Sequence, residues 1–142
     1  MIRRLLETDL PRAAELERQC FSEPWSEAAL GESLKRPEYL FLAAQEGDRV
    51  AAYGGLYRTF DEGNITNIAV DREFRGRGVG TELMRRLLEE GEALGICAFT
   101  LEVRVGNAAA IRMYEKLGFV SCGVRPGFYR DPAEDALIMW RR

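Results

Sequence analysis

Apolar positions in this chain switch between two periods. Ile65, Ile68 and Val70 are β-branched and closely spaced, as a buried strand requires. From Val79 the spacing lengthens to Val79, Leu83 and Leu87, with Leu88 widening the stripe, which is the period of a helix with one buried face. The same switch recurs downstream. Leu101 and Val103 share one face of a strand, Glu102 and Arg104 the other. Ile111, Tyr114 and Leu117 then form an i, i+3, i+6 helical stripe. Upstream, Ala14, Leu16 and Cys20 and then Ala29, Leu30 and Leu34 mark two helices. The run from Phe21 to Ser26 separates them, because Pro24 takes Glu23 out of helical conformation.

Punctuation residues set the boundaries. Ile2 to Leu6 is a short strand. Thr8 or Asp9 caps the first helix, with Pro11 in its first turn. Ser26 caps the second, which ends before Pro37. Leu40 to Gln45 and Arg49 to Thr59 form a hairpin across Glu46-Gly47-Asp48. Phe60 to Gly63 turns into the strand ending at Val70. A helix over 78–94 stops at Gly95, Phe99 to Val105 is a strand, and Asn107 caps a helix from Ala108 to Leu117 that Gly118 ends. Phe119 to Val124 and Asp135 to Trp140 are final strands joined by an irregular stretch, Arg125 to Glu134. The order β-α-α-β-β-β-α-β-α-β-β predicts a central sheet with helices on both faces, an α/β chain. Its 142 residues are most simply one domain, 1–142.

Composition removes several chemistries. There is no histidine, which excludes a Ser-His-Asp triad, a Cys-His pair and any His-based zinc site. Acid and base work falls to Glu, Asp, Tyr, Cys or Lys. Cys20, Cys97 and Cys122 show no CxxC or metal spacing, so no metal is expected, and they read as buried reduced thiols of a cytosolic protein. The net charge of −3 argues against direct nucleic-acid binding. The first residues lack the apolar run of a signal peptide, and nothing approaches the ~20 apolar residues of a membrane span. The expected setting is the cytoplasm, with no membrane partner.

Between strand and helix, residues 75–80 carry glycine at 76, 78 and 80. Such a loop lets backbone approach a ligand closely, and the helix N-terminus behind it favours phosphate. It is not a P-loop, which needs Gly-Lys followed by Ser or Thr, nor a dinucleotide fingerprint, whose third glycine would fall at Thr81. A turn capping a core helix is the simpler alternative. The pattern Arg75-x-x-Gly78-x-Gly80 resembles the pyrophosphate loop of the GNAT (Gcn5-related N-acetyltransferase) superfamily. The element order resembles that fold over nearly the whole chain. The resemblance implies an α/β (α+β) GNAT fold: a central mixed, mostly antiparallel sheet with helices on both faces.

Glu102 sits within an apolar strand, where a carboxylate is costly unless paired or wet. It reads either as a surface pair with Arg104 or as a general base facing a cleft. Tyr114 reads as a core aromatic or as a proton donor, and Asn107 as a helix cap that also faces a ligand.

The block from Thr100 to Phe119, with Cys20 to Ser26, Gly127 to Tyr129 and Glu134 to Met139, resembles the RimI-like N-α-acetyltransferases of this superfamily. Those enzymes act on the N-terminal alanine of a small-subunit ribosomal protein. By that resemblance Glu102 is the base and Tyr114 the acid. Acetyl-CoA, the implied cosubstrate, is held by Ile68, Ala69 and Val70, by Arg75, Gly76, Arg77, Gly78, Val79 and Gly80, and by Asn107. A backbone N–H near Val70, placed by a strand irregularity, polarises the acetyl carbonyl. Gly106 stands where many relatives carry Ser, with little expected effect. The implied partner is a protein N-terminus, most simply a ribosomal protein's.

Phe21, Trp25 and Tyr129 either line a substrate groove or pack loop against core. Glu7 to Glu38 holds eight acidic and four basic residues, which is an acidic mouth or a solvated helical face. The rivals are a broader N-terminal acetyltransferase, a small-amine acetyltransferase and a non-catalytic acyl-CoA-binding regulator.

Overall fold

The computed structural model describes residues 1–142. Its framework is a seven-stranded sheet in the order β1-β2-β3-β4-β5-β7-β6. The strands are β1 (Ile2–Arg4), β2 (Tyr39–Glu46), β3 (Arg49–Thr59), β4 (Glu62–Val70), β5 (Ala98–Arg104), β6 (Val120–Tyr129) and β7 (Glu134–Arg141). The helices are α1 (Leu10–Cys20), α2 (Glu27–Leu34), α3 (Val79–Ala93) and α4 (Ala108–Lys116). Every neighbouring pair is antiparallel except β4 and β5.

Alternation along the central strands fills two cores, one on each face. Leu40, Leu42 and Leu56 pack with Leu83, Met84 and Leu87 of α3. Phe41, Ala43, Tyr53 and Ala69 pack with Ala13, Leu16 and Leu30 of α1 and α2. Two adjacent glycines on β3 let both layers close. A Cβ on Gly54 would lie 2.5 Å from Ile68 Cδ1, and one on Gly55 2.5 Å from the Phe41 ring.

The ends differ from expectation in ways that local chemistry explains. A 3-10 turn, Glu7–Asp9, precedes α1, and neither Thr8 nor Asp9 caps that helix with its side chain. The Asp9 carboxylate is taken instead by Leu6 N–H at 2.7 Å and by Arg3. Arg3 holds that carboxyl below its ordinary pKa. The stretch after Val124 is not wholly irregular: β6 continues to Tyr129. Its ladder to β7 breaks between Arg125 and Tyr129, where Pro126 offers no N–H and Gly127 bonds the Asp135 side chain at 2.8 Å. The cysteines are free, but Cys97 and Cys122 are exposed rather than buried.

Two irregularities make the site. β4 and β5 pair only from Glu62–Asn64 to Ala98–Thr100 and then part, so 65–70 of β4 has β3 on one side and no strand on the other. β4 also carries a bulge. Gly55 faces Asn67 and Leu56 faces Ile65, leaving Thr66 as the extra residue. The irregularity therefore falls at Thr66, four positions before Val70.

Candidate active site

The gap between the diverging strands is a cleft of about 1190 Å³. Small-molecule pockets typically hold ~300–1,000 Å³, so there is room for a large cofactor and part of a second substrate. All the residues singled out from the sequence line it except Ala69 and Arg77. Ala69 is fully buried on the α1 face, so its side chain plays no part. Arg77 turns its guanidinium over the Phe74 ring, 5.2 Å from the centroid, outside the cleft.

One wall is backbone. Gly78 is the N-cap of α3 with φ +79°, and no side chain caps the helix there. The first helical bond is Glu82 N–H to Gly78 C=O, so the N–H groups of Val79, Gly80 and Thr81 have no helical partner. With the helix dipole they form an anion-binding end. Gly76 also has positive φ, +80°, and a Cβ on Gly76 or Gly78 would meet nothing within 4 Å. Conformation and open space, rather than packing, require glycine at both. Gly80 differs: its Cβ would lie 3.3 Å from Val70 Cγ2. Arg75 does not reach across the loop. It donates to Val70 C=O at 3.1 Å and to Cys20 Sγ at 3.3 Å, pinning the end of β4. Asp71 anchors the connector to α1 through Arg12 and caps the turn through Glu73 N–H at 2.8 Å. Arg12 holds its carboxyl below the ordinary range.

The floor comes from β5 and α4. Glu102 is 18% exposed, and its nearest cation is Arg125 at 3.7 Å. The surface pair with Arg104 does not form. Arg104 instead salt-bridges Glu134 at 3.1 Å, donates to the carbonyls of Pro132 and Arg130, and lies over the Tyr129 ring at 4.5 Å. Tyr114 meets both of its alternative readings. It packs edge-on against Phe119 at 5.9 Å and also faces the cleft. Burial pushes its hydroxyl up to about 12, with the nearby Tyr129 adding to the effect. Asn107 likewise does two things, accepting from Ala110 N–H at 3.2 Å while lining the cleft.

The remaining wall joins Phe21 and Trp25 of the α1–α2 loop to Tyr129 at the end of β6. Trp25 rests edge-on against Tyr39 at 6.2 Å. Burial, and after it the Glu102 carboxylate, raise the Tyr129 pKa. Of the acidic residues between Glu7 and Glu38, only Glu17 and Glu23 reach the cleft, so most of that charge is solvated helical surface. Sequence reasoning missed Glu17, a buried carboxylate in α1 bonded to Trp25, Tyr53 and Asn67. Helical periodicity places it on the apolar face. The signal was a charged residue at a buried position, and that was available.

A splayed β4–β5 pair, a glycine loop opening α3 and a polar floor define a GNAT acetyltransferase. The chain belongs to that family: residues 10–119 match the family model described as "Acetyltransferase (GNAT) family". It is 42% identical over 135 residues to the ribosomal protein bS18-alanine N-acetyltransferase of Salmonella typhimurium, covering 93% of this chain and 90% of that one. Among solved structures it resembles the ribosomal-protein-S18-alanine N-acetyltransferase from Escherichia coli, with TM-score 0.91 and 36% identity, covering 99% of this chain and 92% of that one. Ard1 from Thermoplasma volcanium gives TM-score 0.91 at 28% identity, covering 99% and 95%. The chain is an acetyl-CoA-dependent N-α-acetyltransferase. No helix is long and apolar enough to cross a membrane.

Proposed function

We propose that this chain, acting as a single domain, 1–142, in the cytoplasm, transfers acetyl from acetyl-CoA to the N-terminal alanine of a small-subunit ribosomal protein. The observation that carries the reading is the joint placement of Glu102 and Tyr114 at the floor of one cleft, between the phosphate-binding loop and two aromatic-bearing loops. The similarity to bS18-alanine acetyltransferases supports the choice of substrate.

The pyrophosphate lies on the loop from Arg75 to Gly80 and the unpaired N–H groups of α3. Ile68 and Val70 hold the pantetheine arm alongside the free edge of β4, and Asn107 meets it from α4. The amine arrives between Trp25 and Tyr129. An N-terminal amine has pKa ~7.7–8.0, so a share of it must lose a proton at neutral pH, and Glu102 takes that proton directly or through water. The free-edge N–H groups of β4 near Val70 polarise the acetyl carbonyl. The neutral amine attacks the carbonyl carbon, the tetrahedral intermediate collapses with cleavage of the C–S bond, CoA leaves as thiolate, and the proton left on the nitrogen passes through water to that thiolate. Tyr114 stays protonated at any physiological pH. A thiol has pKa ~8.5, so a phenol near 12 stabilises the leaving thiolate by hydrogen bonding better than by surrendering its proton outright.

The test is a panel of N-terminal peptides with acetyl-CoA, read by mass. One added acetyl on the α-amine of an alanine-terminated bS18 peptide, with none on a lysine side chain or a polyamine, is the expected result. Equal modification of many N-termini would make the enzyme a broad one. No product from any amine, with acetyl-CoA still bound, would leave the non-catalytic reading.

A further inference from the structure

Glu17 lies mid-helix in α1 with no exposed surface. Its Oε1 accepts from Trp25 N–H at 2.8 Å, and its Oε2 accepts from Asn67 Nδ2 at 2.7 Å and from the Tyr53 hydroxyl. Burial raises the Glu17 pKa and the three hydrogen bonds oppose that rise. Because the backbone N–H and the amide NH₂ can only donate, the carboxylate form is the one that satisfies all three partners at once. It has no cationic partner. Its three donors need an acceptor, since a buried donor left unpaired is destabilising; stability therefore accounts for the hydrogen bonds, but not for a charge left without a cation.

The three partners come from three places: the α1–α2 loop, β3 and the β4 bulge. Because the Asn67 amide points its NH₂ at Glu17, its Oδ1 must face the other way. That oxygen and the neighbouring Thr66 Oγ1 are both buried with no hydrogen-bond partner. Glu17, Thr66 and Asn67 all line the cleft. One wall therefore carries a negative charge without a cation and two acceptors without donors. An alkylammonium is what such a wall lacks.

Building on the acetyltransferase reading, we propose that Glu17 is a positioning residue for the amine substrate. It locks Trp25 and Asn67 into one wall, and its unpaired charge makes that wall a receptor for a cationic α-amino terminus. The charge acts across a poorly screened interior, and the Asn67 amide, polarised through its NH₂, passes it to Oδ1.

The experiment is calorimetric titration of the CoA-loaded enzyme with two peptides. One begins with alanine. The other has the same sequence with a propionyl group in place of that alanine, which removes only the ammonium. Hydrogen bonds to charged groups imply that wild type prefers the alanyl peptide by about tenfold or more. In Glu17→Gln and in Asn67→Ala that preference should collapse toward unity, with CoA affinity unchanged within about twofold. A merely structural role would weaken both peptides alike and leave the ratio intact. A preserved ratio in folded Glu17→Gln overturns the proposal, as does equal binding of the two peptides by wild type. If Glu17→Gln does not fold, Asn67→Ala, at a partly exposed position, carries the same comparison. Binding is read without turnover, so a wild type that discriminates but makes no acetyl product would count against the acetyltransferase reading alone.

Discussion

The wall of the cleft from Val70 to Gly80 and the wall formed by Phe21–Trp25 with Phe128–Glu134 are held in place by different means. The first is backbone: positive-φ glycines, a bare helix N-terminus and a strand edge without a partner. The second is side chains, most of them reaching across long sequence separations: Glu17 to Asn67, and Arg104 to Glu134, Pro132 and Arg130, with Glu17 also holding the nearby Trp25. A backbone wall suits a cofactor whose phosphates are the same in every turnover. A side-chain wall can be retuned residue by residue for an amine substrate. If that division holds, variants on one wall should disturb one substrate and spare the other, while floor variants should disturb turnover alone.

The floor carries the largest expected effect. Glu102→Gln keeps size but cannot take a proton, and a positioned base is worth ~10²–10⁴-fold. A fall in kcat of that order is expected, with affinities for acetyl-CoA and peptide both near wild type. The residual rate should climb with pH as the free amine population grows. Equal rates for wild type and variant from pH 6 to 9 would return Glu102 to a partner of Arg125.

Tyr114→Phe comes next. Losing one hydrogen bond to a charged leaving group should lower kcat about 10- to 100-fold. Because burial raises this phenol to about 12, the factor should be constant from pH 6 to 10, and no alkaline limb below 10 belongs to Tyr114. The linkage has the matching sign. A folded-state pKa raised above the ordinary ~10 contributes stability that is intact below 10 and lost as pH rises toward 12, so Tyr114→Phe should flatten part of that alkaline loss. A variant with normal turnover and a lower Tm would leave Tyr114 only its packing against Phe119.

The same division explains what the sequence disclosed. β3 is legible to the residue, and α3 and α4 to within a position or two, because periodicity and glycine stops act locally. The backbone wall is legible for the same reason: its glycines fall within one short loop, and at Gly76 and Gly78 they record a local positive φ. Arg77 is the exception, since nothing local says that it stacks on Phe74. The side-chain wall is mostly hidden. Glu102 has Arg104 two residues away, yet it lies nearest Arg125, and Arg104 belongs to Glu134. Those pairings depend on β7 lying between β5 and β6, and on a ladder that Pro126 interrupts. The Thr66 bulge is invisible for a related reason, because a register slip is a property of two strands and not of one.

Gly78→Val tests the backbone wall. A β-branched residue at φ +79° is strained by roughly 1–2 kcal/mol, so the loop should move and acetyl-CoA should bind about tenfold more weakly. Peptide affinity for the CoA-free enzyme should hold. Equal weakening of both would mean that the walls are one mechanical unit and that the comparison fails.

The smallest effect is expected from Gly106→Ser, at the edge of the side-chain wall. A Cβ there would lie 2.7 Å from Glu134 Oε2, which now accepts Gly106 N–H at 2.8 Å. The obstructing atom is the end of a flexible side chain, so a rotation of Glu134 relieves the contact. The Arg104–Glu134 bridge, 3.1 Å and partly exposed, would loosen, while Arg104 keeps the Pro132 and Arg130 carbonyls. A partly exposed pair is worth up to ~1 kcal/mol, which for a chain of this size moves Tm by no more than about 4 °C. Peptide KM should rise less than threefold and acetyl-CoA KM not at all. A tenfold rise in peptide KM at unchanged Tm would show that the Glu134 carboxylate, rather than the arginine it holds, sets the shape of the amine wall.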